Sequence, residues 1–335
     1  MGDISAFYHL TKPAAVLRAT GPDAFTFLQS QFSNDLRRPG VERPVTYGLW
    51  LDQKGKIQAD SFILQRGPAE FLLVSYDCPV EKIRAHLEAH LIADEVELKD
   101  ETGEFGLMHT HVLERNSAEA EYLLAGAPPA GVWVAMVDAE HSYRWPGRRP
   151  TTAYSSRAKR QPAWDYLGPP EVLEKEILRL KEHGIGPTYD GMIEAYRLTA
   201  GIPAVPVDAG PGDLPQEAGL ERDAVSFDKG CYLGQEVMAR LKSQGHVNRA
   251  LWRVLAKKDM QLAGNMPKPL YAGEVLAGEL RSRAGAMGIA MLKKRAIAGR
   301  EGLSLTPGGN EVISLRAEDG GLDLTQPPTL PADQS

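Results

Sequence analysis

The sequence is short of cysteine, has no long apolar run and carries no excess of basic charge. Its 335 residues include 2 cysteines, which excludes a disulfide framework and is typical of a reducing compartment. No apolar run approaches the roughly 20 residues of a membrane-spanning helix. The sequence does not open with a positively charged segment followed by an apolar one, so we predict no signal peptide. The formal net charge of -6 argues against a basic nucleic-acid-binding face. We therefore expect a cytoplasmic protein, or an organelle-matrix protein if the source is eukaryotic, with no direct nucleic-acid partner and no membrane partner.

The first part of the chain alternates strand and helix patterns. A short apolar stretch at 14–19 predicts a strand, and apolar residues at helical spacing predict a helix over 24–33. Residues 45–51 and 57–65 flank a DQKGK turn and predict a hairpin. Another helix is expected to begin after Pro79. Strands that flank helices in this way favour a compact α+β unit.

The last part of the chain returns to short strands. Between residues 250 and 305 these strands are separated by glycine corners, which predicts a small β-barrel. Residues 326–335 are polar and proline-rich, so they are predicted to be disordered.

The segment FDKGCYLGQEVMAR, residues 227–240, holds one of the two cysteines, Cys231. Gly230 and Gly234 permit a turn, and strong helix formers follow from residue 235 onward. Cys231 is therefore predicted to lie just ahead of a helix N-terminus, where amide donors and the helix dipole stabilise a thiolate. Lys229 adds positive charge nearby, and a thiolate is both a nucleophile and a soft-metal ligand. The alternative is a small buried cysteine in a turn.

Two other polar pairs stand out. Asn34 and Asp35 fall at the end of the first predicted helix, as a C-terminal turn or as the polar lip of a ligand pocket. His109 and His111 share one face of a predicted strand. Because no further metal ligands are obvious nearby, we interpret them as ordinary strand histidines and predict no metal site.

The octapeptide KGCYLGQE resembles the KGCYxGQE signature of the YgfZ-type branch of the folate-binding, aminomethyltransferase-like family. The octapeptide is very specific, and the other similar segments are moderately so. They follow the family order along most of the chain: FLQSQFSNDL at 27–36, LDQKGKIQAD at 51–60, IEAYRLTAGIP at 193–203, LPQEAGLERDAVSFD at 214–228 and RALW at 249–252.

The resemblance implies an α+β fold in which three domains form an aminomethyltransferase-like ring around a central folate site. The expected domains are a discontinuous folate-binding core at 1–45 with 115–245, a ferredoxin-like subdomain at 46–114, and a C-terminal β-barrel at 246–325. Basic and aromatic residues at 144–150 and 157–162 are interpreted as a solvated loop, with a folate polyglutamate tail or tRNA as the alternative ligand.

The resemblance also assigns candidate residues for binding tetrahydrofolate. Tyr196 could stack on the pterin ring. Thr199 stands where the family segment R-L-E-A-G has its glutamate, and a neutral hydroxyl cannot replace the charge-assisted contact of a carboxylate. The remaining candidates for polar contacts are Asn34, Asp35, Gln235 and Glu236.

The function implied by the resemblance is a tetrahydrofolate-binding accessory factor in the assembly or repair of iron–sulfur clusters of client enzymes, including tRNA-modifying enzymes. Cys231 would be the reactive thiolate, and Lys229 would favour the thiolate or contact an anion. One cysteine cannot hold a cluster that needs four ligands, so any cluster would be shared with a client or carrier protein. An accessory protein is favoured over a turnover enzyme. The alternatives are a folate-dependent aminomethyl or one-carbon transferase and a ligand-free structural adaptor.

Overall fold

The computed structural model describes residues 6–37, 45–112, 163–256 and 265–315, together with residue 118 and short strands at 136–137, 143–146 and 322–323. In the segment 144–150, interpreted as a loop, residues 144–146 belong to a strand, Tyr143–Pro146. The predictions for 147–150, 157–162 and the tail 326–335 lie outside the described residues. No helix within these ranges has the length and apolar character needed to cross a membrane.

The first sheet has five antiparallel strands in the order β3-β4-β5-β2-β6. Two helices cover one face, and their apolar residues share a buried cluster with Trp50. The predicted strand at 14–19, first helix and hairpin are confirmed. The elements are β2 (Ala15–Thr20), α1 (Ala24–Gln31), β3 (Val45–Leu51), β4 (Ile57–Gly67), β5 (Glu70–Ser75), α2 (Val80–Glu88), β6 (Glu97–Asp100) and a short 3-10 helix at Thr102–Glu104.

The second sheet has six strands in the order β11-β1-β7-β10-β9-β8, and all its pairs are antiparallel except β1 with β11. One face packs on helix α3 through Tyr8, Met108 and Leu173. The sequence analysis did not identify β1. The elements are β1 (Ala6–Thr11), β7 (Gly106–Val112), β8 (Met136–Val137), β9 (Tyr143–Pro146), β10 (Ala163–Gly168), α3 (Pro170–Glu182) and β11 (Gly186–Pro187).

The third sheet forms the barrel that the glycine-punctuated strands predict. Its order is β13-β14-β15-β12-β17-β16, with β18 on β12. A bridge between Tyr271 and Ser304 joins β13 to the end of β16 and so brings the two edges together. The elements are β12 (Arg249–Ala256), β13 (Lys268–Ala272), β14 (Val275–Ala284), β15 (Met287–Lys293), α8 (Lys294–Ile297), β16 (Gly302–Leu303), β17 (Ile313–Ser314) and β18 (Leu322–Asp323).

Four helices and a long ordered segment connect the sheets: α4 (Asp190–Ala200), α5 (Pro215–Ala218), α6 (Glu221–Ala224) and α7 (Gln235–Gln244). One apolar cluster contains Leu49 of β3, Leu251 of β12 and Tyr232. The first sheet and the barrel are therefore joined through a common core that includes the cysteine motif.

Strand pairing crosses both expected domain boundaries in the first half of the chain. Strand β2 pairs with β5 and β6, although it was assigned to the segment 1–45. Strand β7 pairs with β1 and β10, although it was assigned to 46–114. In the first half of the chain, the strands of one sheet therefore come from more than one of the expected domains. The division into domains stays a prediction.

Candidate functional site

The cysteine loop, residues 229–234, lies where three of the similar sequence segments meet. The amide of Leu233 donates to the carbonyl of Ser30 at the end of α1, at 3.1 Å. Gly234 has a φ of 84°, and a Cβ at this position would lie 2.7 Å from the carbonyl oxygen of Asp52. The loop is thus held between α1 and the DQKGK turn, and helix α7 begins immediately after Gly234, as predicted.

Lys229 is buried, and its ammonium group bonds to the backbone at the end of α1. Its Nζ atom donates to the carbonyl oxygens of Gln29, Phe32 and Asn34 at 2.6, 2.7 and 2.9 Å. An ammonium group has three N–H donors, so all three donors of Lys229 are used by these carbonyls at the end of α1. Burial lowers the pKa of Lys229 to about 8, whereas the three carbonyls favour its charged form. Lys229 therefore fastens the loop to α1, and its expected effect on the Cys231 thiol or on an anion stays a prediction.

Asn34 and Asp35 are also used in bonds within the fold. The side-chain Nδ2 atom of Asn34 donates to the backbone carbonyls of Tyr47 and Asp223 at 2.8 and 2.9 Å. Hydrogen bonds from Arg37 hold the pKa of Asp35 well below its usual range. Asn34 thus connects the end of α1 to β3 and α6, whereas the bonds of Asp35 to Gln29 and Arg37 stay within residues 29–37.

The thiol of Cys231 is exposed on this loop, whereas Cys78 is fully buried. Burial raises the pKa of Cys78 to about 12. Gln235 makes a long 3.4 Å bond to the carbonyl of Lys229, and Glu236 pairs with Arg240 on the exposed side of α7. The predicted stabilisation of a Cys231 thiolate by the helix dipole stays a prediction.

A separate pocket of about 370 Å³ lies between the second sheet and helix α4. Strand pairing sets His9 beside His109, and His109 beside Asp165, so the three residues form a row across β1, β7 and β10. Residues two apart on a strand share a face, which adds His111 to the same wall. The opposite face of the sheet is the one that packs on α3.

Two histidine–carboxylate pairs occupy this wall. The Nδ1 atom of His109 lies 2.6 Å from Asp165, a carboxylate that is 2% exposed and also accepts a hydrogen bond from the hydroxyl of Tyr76. The Nε2 atom of His9 lies 2.6 Å from Asp190, and its buried Nδ1 atom has no hydrogen-bond partner among the described residues. The two imidazole rings are parallel, with centroids 6.3 Å apart.

Helix α4 covers the pocket with Tyr196, Glu194 and Arg197. The ring of Tyr196 lies edge-on to His111, with centroids 4.4 Å apart. The guanidinium of Arg197 uses all five of its N–H donors within the protein. These bonds run to both oxygens of Glu194, to Asp208, to the carbonyl of Ile202 and to the hydroxyl of Ser282.

Comparison with known proteins finds a family match for the part of the chain that contains the first sheet. Residues 12–110 match the family model described as the GCVT N-terminal domain. This part of the chain is therefore similar to a GCVT N-terminal domain. The match spans β2 to β7 and includes α1 and the DQKGK turn against which the cysteine loop packs.

The chain is also similar to curated proteins along most of its length. It is 25% identical over 280 residues to the tRNA-modifying protein YgfZ of Serratia proteamaculans, across 81% of this chain and 76% of that protein. It is 24% identical to the human mitochondrial iron-sulfur cluster assembly factor IBA57, across 91% and 82%. The mouse mitochondrial iron-sulfur cluster assembly factor IBA57 is 36% identical over 109 residues, which are 31% of this chain and 30% of that protein. The family resemblance predicted from KGCYLGQE is confirmed.

Among solved structures, the glycine cleavage system aminomethyltransferase T from Bartonella henselae matches with a TM-score of 0.70. The match covers 93% of this chain and 85% of that one at 17% identity. The predicted α+β, aminomethyltransferase-like fold is confirmed.

Among the six residues predicted to bind a cofactor, Tyr196 lines the pocket. Thr199 is exposed on α4, with its carbonyl accepting a bond from Arg253. Asn34 and Asp35 follow the end of α1, Gln235 and Glu236 lie in the first turn of α7, and their cofactor contacts stay predictions.

Sequence reasoning missed most of the pocket. His109 was interpreted as an ordinary strand histidine, whereas it is paired with a buried aspartate. The usable signal was Asp165 in the otherwise apolar strand AWDYLG, because a carboxylate buried in a sheet needs a partner. Within the described part of the chain, no group of three or more His, Cys, Asp or Glu side chains is arranged to hold a metal ion.

Proposed function

We propose that the chain is an accessory factor for the assembly or repair of iron–sulfur clusters in client enzymes, including tRNA-modifying enzymes. The observation that carries this proposal is the exposure of Cys231 on a loop that Lys229 and Gly234 hold in place. An accessible thiolate is a ligand for iron and a nucleophile. The names of the YgfZ and IBA57 relatives support this role.

In this proposal the cluster is cargo and is shared with a partner protein. A cluster takes four ligands, and the chain offers one exposed thiol because Cys78 is buried. The remaining ligands therefore come from a client or carrier protein, or from small thiols. Cys231 contacts the cluster during transfer or repair.

We propose that tetrahydrofolate is the small-molecule partner and that it binds in this pocket. The volume of about 370 Å³ is within the usual range of ligand sites. Tyr196 offers an aromatic face, and Glu194 offers a carboxylate to the adjacent N–H donors of a pterin. This carboxylate on α4 could replace the contact that Thr199 does not provide. When bound, tetrahydrofolate supplies a carrier of one-carbon groups.

Calorimetric titration with tetrahydrofolate tests this assignment. We expect the wild type and Cys231→Ala to bind with equal affinity, because Cys231 does not line the pocket. Tyr196→Ala should bind about tenfold more weakly through loss of an aromatic contact. Absence of wild-type binding would remove folate from the proposal, and loss of binding in Cys231→Ala alone would place the thiol at the ligand.

The same variants separate two other functions. A folate-dependent aminomethyl or one-carbon transferase would turn over a methylamine or formyl donor with tetrahydrofolate as acceptor. A ligand-free adaptor would bind no folate and would keep its cellular activity in Cys231→Ala.

A further inference from the structure

The pocket presents hydrogen-bond acceptors to its ligand. Its carboxylates come from four positions: Asp77, Asp165, Asp190 and Glu194. Among the described residues that line it, Arg197 is the one lysine or arginine, and its donors are all used within the protein. Such a pocket favours a neutral or cationic ring that carries N–H donors over an anionic group.

His109 is the imidazole whose orientation is most strongly fixed. Its Nδ1–H group donates to Asp165, and Asp165 in turn accepts from the hydroxyl of Tyr76. This arrangement selects the tautomer with an unprotonated Nε2 atom. Because His109 lines the pocket, Nε2 is the ring nitrogen left for the ligand.

We propose that the Nε2 atom of neutral His109 accepts a hydrogen bond from an N–H group of a flat nitrogen heterocycle, and so makes ligand binding sensitive to pH. Asp165 and Tyr76 are positioning residues that hold the imidazole in this tautomer. The inference rests on the proposed function, in which the heterocycle is the pterin of tetrahydrofolate. Protonation of His109 turns the acceptor into a donor, and the ligand N–H then has no partner.

Several charged groups face His109, and the test must separate it from them. They are His9 on β1, His111 on its own strand, Asp165 on β10, and Tyr76 and Asp77 after β5. Helix α4 adds Asp190, Glu194, Tyr196 and Arg197. All of these remain in a His109→Gln variant, so a difference from the wild type reports on His109.

The experiment is calorimetric titration with tetrahydrofolate, under anaerobic conditions, from about pH 8 down to about pH 6. For the wild type we expect the affinity to fall on acidification, approaching about tenfold per pH unit below the midpoint because one proton competes with binding. His109→Gln keeps an acceptor but cannot titrate, so it should bind with a much flatter profile. His109→Leu should bind about tenfold more weakly at pH 8 through loss of the hydrogen bond.

Two further variants complete the test. Asp165→Asn removes the carboxylate that holds the imidazole in this tautomer, so it should bind the ligand more weakly than the wild type at pH 8. His183→Gln changes a histidine at the exposed end of α3 and should reproduce the wild-type profile. A flat wild-type profile, or one that His109→Gln leaves unchanged, would overturn this inference while leaving folate binding intact. Absence of wild-type binding at every pH would overturn the folate assignment and this inference together.

Discussion

The two cysteines lie in opposite environments. Cys231 is exposed, whereas Cys78 lies in the apolar cluster under α2, and burial raises the pKa of Cys78 to about 12. A thiol reacts as its thiolate and only where a reagent reaches it. The chain therefore contains its own internal control for thiol chemistry.

We expect iodoacetamide to alkylate Cys231 in the native protein and to leave Cys78 unmodified. Peptide mass spectrometry after a short exposure at neutral pH measures both sites. Unfolding in denaturant should make both react. Equal labelling of the two in the native protein would contradict the exposure that the structure gives them. The pH dependence of Cys231 labelling tests whether the helix dipole stabilises its thiolate.

Lys229 is the first residue of the KGCYLGQE signature, and its bonds within the fold are structural. Replacing it by methionine keeps much of the apolar stem but leaves three carbonyls at the end of α1 without their donor. We expect Lys229→Met to lower the free energy of unfolding by about 3 kcal/mol, measured by denaturant titration. The exposed Lys54 on the DQKGK turn gives the matched control Lys54→Met, which should change little. Equal stability of the two variants would show that the carbonyl contacts do not hold the loop.

At the scale of elements, the turn before α7 depends on close approach between two backbones. Gly234 has a positive φ and faces the carbonyl of Asp52, while Gly245 at the other end of α7 has a positive φ of 68° with open space around it. Gly245→Ala introduces only the backbone strain of a positive φ. Gly234→Ala adds a steric clash between the new Cβ and the carbonyl oxygen of Asp52.

We expect Gly245→Ala to cost about 1 kcal/mol of stability and Gly234→Ala about 3 kcal/mol. Thermal unfolding of the two variants compares them directly. Gly234→Ala should also increase protease cleavage in the cysteine loop, because the loop loses its contact with the DQKGK turn. Similar losses of stability in the two variants would mean that the DQKGK turn shifts to accommodate the alanine Cβ at position 234.

Local patterns in the sequence were sufficient for several elements. The helix that becomes α1, the hairpin of β3 and β4, and the start of α7 after Gly234 each follow from residues close together in the chain. The pocket could not be predicted in this way. His9, His109 and Asp165 meet through strand pairing between distant segments, and only the fold sets that register. The bonds of Lys229 could not be predicted for the same reason, because its acceptors lie 195 to 200 residues away.

At the scale of the whole molecule, the thiol and the pocket are separate sites on one framework. The cysteine loop packs on the part of the chain that matches the GCVT N-terminal domain, and the pocket lies between the second sheet and α4. Buried ion pairs tie the connecting segment to the barrel, with Asp213 bound by Arg249 and Arg281. This arrangement allows a small molecule to occupy the pocket while a partner protein approaches Cys231.

The central claim is that the exposed thiol serves iron–sulfur clients. It is tested most directly by measuring an iron–sulfur tRNA-modifying enzyme in cells that lack this chain and receive it from a plasmid. We expect the wild type and Cys78→Ala to restore the modification, and Cys231→Ala, at equal protein level, to restore little of it. Full restoration by Cys231→Ala would contradict the account, because the exposed cysteine would then have no part in the function.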